Sequence, residues 1–333
     1  MLIDTEYRKC VTYLFMDLKD EGTGEIQRKP VGTAFFVCVP MLDGAAQAIY
    51  VATARHNIRK SRPYGKLYVR FNLSDGTHRD LPSEQDDWTE HPKTDVAAIG
   101  TLLPDKSDIK YIPVSMFENQ QFVTANRIGE GDDVFFCGLF QSFPGIERMQ
   151  PIIRFGNISL MPREKIYLRD SPEDTPYLAE AYLVEARSWG GHSGSPTFWY
   201  FKPDRVPGEI FIPNRKGGPL SALLGLVSSH YEIPREVDFT GDVGEGKVSV
   251  NAGMAAVIPA RFISELLFGD EFMEQRKKIE EKIKQNIQTP TPDINLDNKG
   301  KKENKKELTQ EDFEDVLRKI ARPLDPDDKE DRR

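Results

Sequence analysis

The stretch Ser188-Trp189-Gly190-Gly191-His192-Ser193-Gly194-Ser195-Pro196 decides how the rest of the chain is read. It sets one serine between glycines and halts at a proline. Runs rich in strand formers flank it, Ala181-Tyr182-Leu183-Val184-Glu185-Ala186 before and Thr197-Phe198-Trp199-Tyr200-Phe201 after. A serine hydroxyl is a poor nucleophile until a neighbouring base takes its proton. Acyl transfer also needs backbone N–H groups aimed at the oxygen that becomes negative. Glycine beside the serine lets the backbone turn sharply enough to supply them. The same letters also describe a plain Gly/Ser turn between two strands. A strand-to-helix elbow, Gly-x-Ser-x-Gly, fits poorly: position 195 is serine, and Pro196 leads into an aromatic, β-favouring run.

A nucleophilic serine needs a base held in position and tautomer. Ala48-Ile49-Tyr50-Val51-Ala52-Thr53 reads as a strand that ends at Thr53-Ala54-Arg55-His56-Asn57. A histidine at a strand end is as readily structural or exposed. Further on, Asp95 stands immediately before the apolar run Val96-Ala97-Ala98-Ile99. The plain alternative is a solvent-facing turn aspartate. Among Asp86, Asp87, Glu90 and Asp95, only Asp95 has a following run that would bury it. His78 and His91 fall in polar segments and read as surface histidines.

Three short motifs arrive in a telling order. Thr53-Ala54-Arg55-His56, Asp95-Val96-Ala97 and Gly191-His192-Ser193-Gly194-Ser195-Pro196 resemble the Thr-Ala-x-His, Asp-(Ile/Val)-Ala and Gly-x-Ser-Gly-x-Pro motifs of chymotrypsin-like serine proteases. The resemblance implies that Ser193 attacks, His56 serves as base and then acid, and Asp95 orients the imidazole. It gives the oxyanion hole to the amides of Gly191 and Ser193. Gly225-Leu226-Val227-Ser228 resembles the family's cleft-lining strand, which implies a hydrogen bond from Ser228 near Asp95 and substrate contacts at Ser229 and His230. Asn251 to Pro259 resembles its closing strand, with Gly253 leaving room for a substrate side chain. Arg187 stands six residues before Ser193, where trypsin carries an aspartate. Arg187 and His230 together suggest an acidic residue before the scissile bond. His192 replaces the aspartate used for zymogen activation, so that switch is not expected.

The fold class implied is all-β: two packed six-stranded antiparallel β-barrels, chymotrypsin-like. Residues 1–117 would form the first barrel with His56 and Asp95, and residues 118–260 the second with Ser193. A C-terminal helix over 261–288 follows. Residues 289–333 read as a mostly disordered linker, with Pro290, Pro292 and a lysine-rich block, and a short amphipathic helix near 310–321. The function expected is a serine endopeptidase acting on protein or peptide substrates, with no metal or cofactor. The alternative is a protease-fold binding or sensor module of low or latent activity, acting through a partner at the C-terminal tail.

Composition agrees with these readings. The chain has 333 residues, 38% hydrophobic and 10% aromatic, enough for a packed core. A net charge of −8 leaves no basic surplus for nucleic acid. The three cysteines, Cys10, Cys38 and Cys137, lack metal-like spacing and a disulfide framework. With no signal-peptide pattern and no apolar run long enough to span a bilayer, a cytoplasmic protein without membrane partners is expected.

Overall fold

A computed structural model of the chain describes residues 3–20, 22–169, 175–186, 191–202, 221–238 and 245–288, with backbone only at 230–238, 245–252 and 286–288. Two compact units result: Met1–Val39 with Gln47–Phe268, and Pro40–Ala46 with Gly269–Arg333.

The first unit is mostly β. After a single helical turn, α1 (Glu6–Lys9), come β1 (Val11–Lys19), β2 (Ile26–Met41) and β3 (Ala46–Thr53). The short helix α2 (Arg55–Ser61) leads to β4 (Leu67–Asn72), β5 (His78–Ser83), β6 (Thr89–Glu90), β7 (Ala97–Gly100) and β8 (Ile112–Pro113). These strands make one sheet in the order β5-β4-β1-β2-β3-β7-β6, with β8 beside β2. The expected first barrel is therefore an eight-stranded sheet whose pairing stays open. Its β6 end is only two residues long, and among the described residues no ladder joins it to β5. The polar stretch Asp75–Thr89 contains β5; polar residues suit this strand because both its faces stay half in water.

The helix α3 (Gln120–Ala125), capped by the Asn119 side chain on Phe122 N, opens the second half. Then come β9 (Asp133–Gly138), β10 (Ile152–Leu160), β11 (Lys165–Leu168), β12 (Tyr177–Glu180) and β13 (Tyr182–Glu185). The series closes with β14 (Pro196–Tyr200), β15 (Ser221–Asp238) and β16 (Glu245–Pro259). Six of them form a closed barrel, β10-β13-β16-β15-β14-β9, while β11 and β12 pair apart. The single strand expected over Ala179–Ala186 is split at Ala181, so β12 leaves the barrel and β13 stays in it.

Alternation along β1 joins sheet to barrel. Leu14 and Met16 face the sheet core with Phe36, Val51, Ile58 and Phe71. Val11, Tyr13 and Phe15 turn the other way onto Cys137, Leu139 and Met149. A strand buried on both faces needs apolar residues at nearly every position, as β1 has through Met16. Each such side chain contributes roughly 2 kcal/mol of burial. The barrel has its own core around Phe136, Tyr182 and Trp199.

The expected single helix over 261–288 is two, α4 (Ala260–Leu267) and α5 (Asp270–Gln288), broken at Phe268-Gly269. Helix α4 belongs to the first unit. In the second unit α5 buries Phe272, Arg276 and Ile283, and Glu280 Oε1 accepts the Leu42 amide at 3.1 Å. No described helix is long and apolar enough to cross a membrane. The helix expected near 310–321 and the loop at 203–220 lie outside the described residues.

Candidate active site

His56 sits one residue into α2, just past the end of β3. Such a short helix exposes unpaired amides at its start, and its N-cap residue Ala54 has no side chain to cover them. Asp95, on the loop between β6 and β7, fills that role. Its Oδ1 accepts the His56 backbone N–H at 2.9 Å, and its Oδ2 lies 2.8 Å from His56 Nδ1. The same Oδ2 accepts the Ser228 hydroxyl at 2.6 Å. Asp95 is fully buried and His56 nearly so. Burial pushes the Asp95 carboxyl up, but the electrostatic attraction of His56 and the hydrogen bonds from His56 and Ser228 outweigh it. The net effect holds this carboxyl below the usual range, so it stays ionised as an acceptor.

Ser228 reaches Asp95 because β15 carries an extra residue there. Val227 pairs with Val257 and Ser229 with Ala256, so Ser228 is left unpaired on a bulge that turns it out of the ladder. Its carbonyl is taken by the Ser193 hydroxyl, which donates to it at 3.1 Å. Among the described residues the Ser193 hydroxyl makes no hydrogen bond to His56. The structure thus joins His56, Asp95 and Ser228 directly, and Ser193 to them through the Ser228 backbone.

The Ser193 loop is held by residues the sequence analysis did not single out. Thr33 N and Asn57 Nδ2 both donate to the Ser193 carbonyl, at 3.1 and 2.9 Å. Thr33 Oγ1 donates to the Gly191 carbonyl at 2.6 Å and accepts the Leu139 amide at 2.9 Å. Thr53 Oγ1 donates to the Thr33 carbonyl at 2.7 Å and accepts from Asn57 Nδ2 at 3.0 Å. On the other side Gly194 N donates to the Val227 carbonyl at 2.7 Å. Gly194 has φ +87°, and a Cβ there would stand 2.0 Å from the Thr33 carbonyl oxygen, so the position accepts only glycine. The Gly191 and Ser193 amides donate to no protein acceptor among the described residues, whereas the Ser195 amide donates to the His192 carbonyl at 2.9 Å. The clues to these residues were Gly32-Thr33 at the apolar start of a strand and Asn57 directly after His56. Both are too short to stand out by themselves.

His192 is buried, its ring edge-on to Phe136 with centroids 5.3 Å apart. Phe136 pairs with Arg154 across β9 and β10. Arg154 lines a cleft of about 690 Å³ together with Gly156, Glu185, Ala186 and Gly253. Gly253 has φ +78° and open space around its Cα, and its carbonyl accepts the Ala186 amide at 2.8 Å. Arg187 lies outside the described residues, as does the His230 side chain; the His230 backbone pairs with Ala255. Ser229 is half-buried beside the Ser228 bulge.

Two expectations about other histidines change. His91 is buried, not on the surface, because α4 covers it from a point far along the chain; its Nε2 lies 3.3 Å from Glu265 Oε2. His78 is half-buried in β5, with Nδ1 2.6 Å from the Glu147 carbonyl oxygen. The three cysteines are free and buried. Burial pushes the Cys10 thiol up to about 12 and the Cys38 thiol up to about 11, and raises Cys137 further.

No family model matches the chain, and no curated protein matches it either. Among solved structures it is similar to Rv3671c from M. tuberculosis H37Rv, a serine-to-alanine mutant in an inactive form. The match has a TM-score of 0.36 and 18% identity, and covers 78% of this chain and 87% of that one. So loose a superposition carries no argument about chemistry, which has to come from the contacts above.

Proposed function

We propose that the chain is a serine endopeptidase of chymotrypsin-like architecture, with the eight-stranded sheet standing as the first barrel and the closed barrel as the second. Ser193 attacks the scissile carbonyl, His56 takes its proton and returns it to the leaving amine, and Asp95 keeps the imidazole oriented. The Gly191 and Ser193 amides stabilise the oxyanion. Substrate is a protein or peptide, bound along β15 at Ser228 and Ser229. Arg187, His230 and Gly253 contribute to the pocket for the residue before the cut, for which an acidic side chain is proposed.

The observation that carries this reading is the buried Asp95 carboxylate, which takes the His56 ring, the His56 amide and the Ser228 hydroxyl at once. A surface turn aspartate has no reason to be stripped of water and given three donors. Such an arrangement fixes Nδ1 of His56 as the donor and leaves Nε2 with its lone pair free for a hydroxyl.

A second reading is favoured by one contact. Because the Ser193 hydroxyl rests on the Ser228 carbonyl, the chain could be a latent protease or a binding module until a partner or substrate takes that carbonyl. A fluorophosphonate probe separates the two. Active-site labelling of the folded protein that vanishes in Ser193→Ala, with cleavage of a denatured protein substrate, supports the peptidase. Labelling that is absent from the folded chain, and not recovered with peptide substrates present, overturns it.

A further inference from the structure

The loop that carries Asp95 is short and polar, and something must hold it while its carboxylate is stripped of water. His91 begins that loop. Its amide donates to the Val96 carbonyl at 2.8 Å, closing the loop, and its own carbonyl accepts Arg55 Nη1 at 3.0 Å. Its ring sits inside the loop mouth, where Nδ1 lies 3.2 Å from the Lys93 amide. Nε2 points out to Glu265 on α4, and the ring meets Phe262 edge-on, with centroids 5.5 Å apart. Asp95 is only four residues on, and Arg55 directly precedes His56.

We propose that His91 is a positioning residue for Asp95: its Nδ1 accepts the Lys93 amide and so closes the loop on itself, with the ring seated against α4, and this holds the carboxylate against α2. This rests on the reading of Asp95 as the group that orients His56. Only one protonation state satisfies both neighbours. An amide is a donor, so Nδ1 has to be the acceptor; a carboxylate is an acceptor, so Nε2 has to carry the hydrogen. The imidazole is therefore neutral. A second proton would set an N–H against the Lys93 N–H and open the loop. The charged groups around the ring are Glu265 from α4, Arg55 from α2 and Lys93 from the loop itself. Burial lowers the affinity of this ring for a proton; Glu265 opposes that, and Arg55 and Lys93 add to it. The loop is thus locked at neutral pH and released only in acid.

The two ring nitrogens can be tested separately in the full-length chain. His91→Asn places an oxygen near the position of Nδ1, keeping the acceptor but adding no titratable group. His91→Gln places an amide nitrogen near Nε2, keeping the Glu265 partner and losing the acceptor. Hydrogen exchange of residues 91–97, corrected for intrinsic rates, and the labelling rate of Ser193 are the readouts. At about pH 7.5 His91→Asn is expected within roughly threefold of wild type in both. His91→Gln is expected to lose about tenfold in loop protection, the weight of one hydrogen bond, and to label correspondingly more slowly. As the pH is lowered below neutral the wild-type loop loses protection reversibly, while the His91→Asn loop does not. Equal exchange in the two variants, or a wild-type loop indifferent to pH, overturns the proposal. A wild type that does not label at any pH refutes the peptidase reading instead, and the exchange comparison still decides the role of His91.

Discussion

Glu118 gives a perturbation whose size can be worked out in advance. Its carboxylate is 3% exposed, below the start of α4, where the amides of Ala260 and Arg261 and the Tyr182 hydroxyl point at it. The nearest cation, Arg261, stands 4.0 Å from Oε1 and is shared with Glu180, which it contacts more closely. Burial therefore dominates: it pushes the Glu118 carboxyl from 4.5 up to about 7, against the pull of Arg261 and the helix amides. A carboxyl whose folded pKa lies above its unfolded one keeps a proton that the unfolded chain has released. Its stabilisation is complete below about 4.5 and is lost as pH rises through about 7. At about 1.4 kcal/mol per pKa unit, wild type loses roughly 2.5 kcal/mol from this group between about pH 5 and about pH 8. Glu118→Gln cannot ionise and loses nothing over that range. It does weaken one or two hydrogen bonds from α4, about 1 kcal/mol each, but equally at every pH. Urea unfolding of both proteins across this range is the assay, and the difference between the two curves isolates Glu118 from every other titrating group. That difference is expected to move by about 2.5 kcal/mol in favour of glutamine as pH rises. A difference curve flat to within about 0.5 kcal/mol would refute the claim that a poorly compensated carboxyl lies beneath α4.

Two further outcomes follow from the geometry. Gly194→Ala brings a methyl to 2.0 Å from the Thr33 carbonyl oxygen at φ +87°, and is expected to cut Ser193 labelling by at least about tenfold, since about 1–2 kcal/mol of left-handed strain adds to the clash. Gly131→Ala, at φ +93° with nothing within 4 Å, is the control: it carries the backbone cost but should leave labelling unchanged. The buried, proton-holding thiols of Cys10, Cys38 and Cys137 should resist a thiol-specific alkylating agent at about pH 8 in native protein and all react on unfolding, as counted by intact mass.

What could be read from the sequence was local. Phe35-Phe36-Val37 and Ile49-Tyr50-Val51 carry their strand preference in their own side chains, and Asp95 announces its burial through the Val96-Ala97-Ala98 run beside it. What could not be read depends on residues far apart in the chain. His91 looks like a surface residue among Glu90, Pro92 and Lys93 because α4, which buries it, is supplied by Phe262 and Glu265. Thr33 looks like an ordinary β-branched strand residue, yet both its backbone and its hydroxyl hold a loop 158 residues away. Closure of a sheet is likewise invisible in any one strand. β5 and β6 were hidden by polar composition. The break between α4 and α5 was missed, because the apolar residues Phe272 and Met273 resume on the far side of Gly269, and that it separates two compact units was no more visible.

The bulge at Ser228 links the acid to the serine loop. One residue offers its hydroxyl to Asp95 and its carbonyl to Ser193, so the backbone of β15 spans the gap between the acid and the hydroxyl. Without the extra residue, the alternation of the strand would turn the Ser228 side chain to the opposite face, and the fully buried Asp95 would lose one of its three donors. The same bulge leaves the Ser228 carbonyl outside the β15–β16 ladder, where a hydroxyl can reach it. On the proposed reading, an extended peptide backbone that takes that carbonyl frees the Ser193 hydroxyl to find another acceptor, and Nε2 of His56 is the acceptor that the Asp95 contacts prepare.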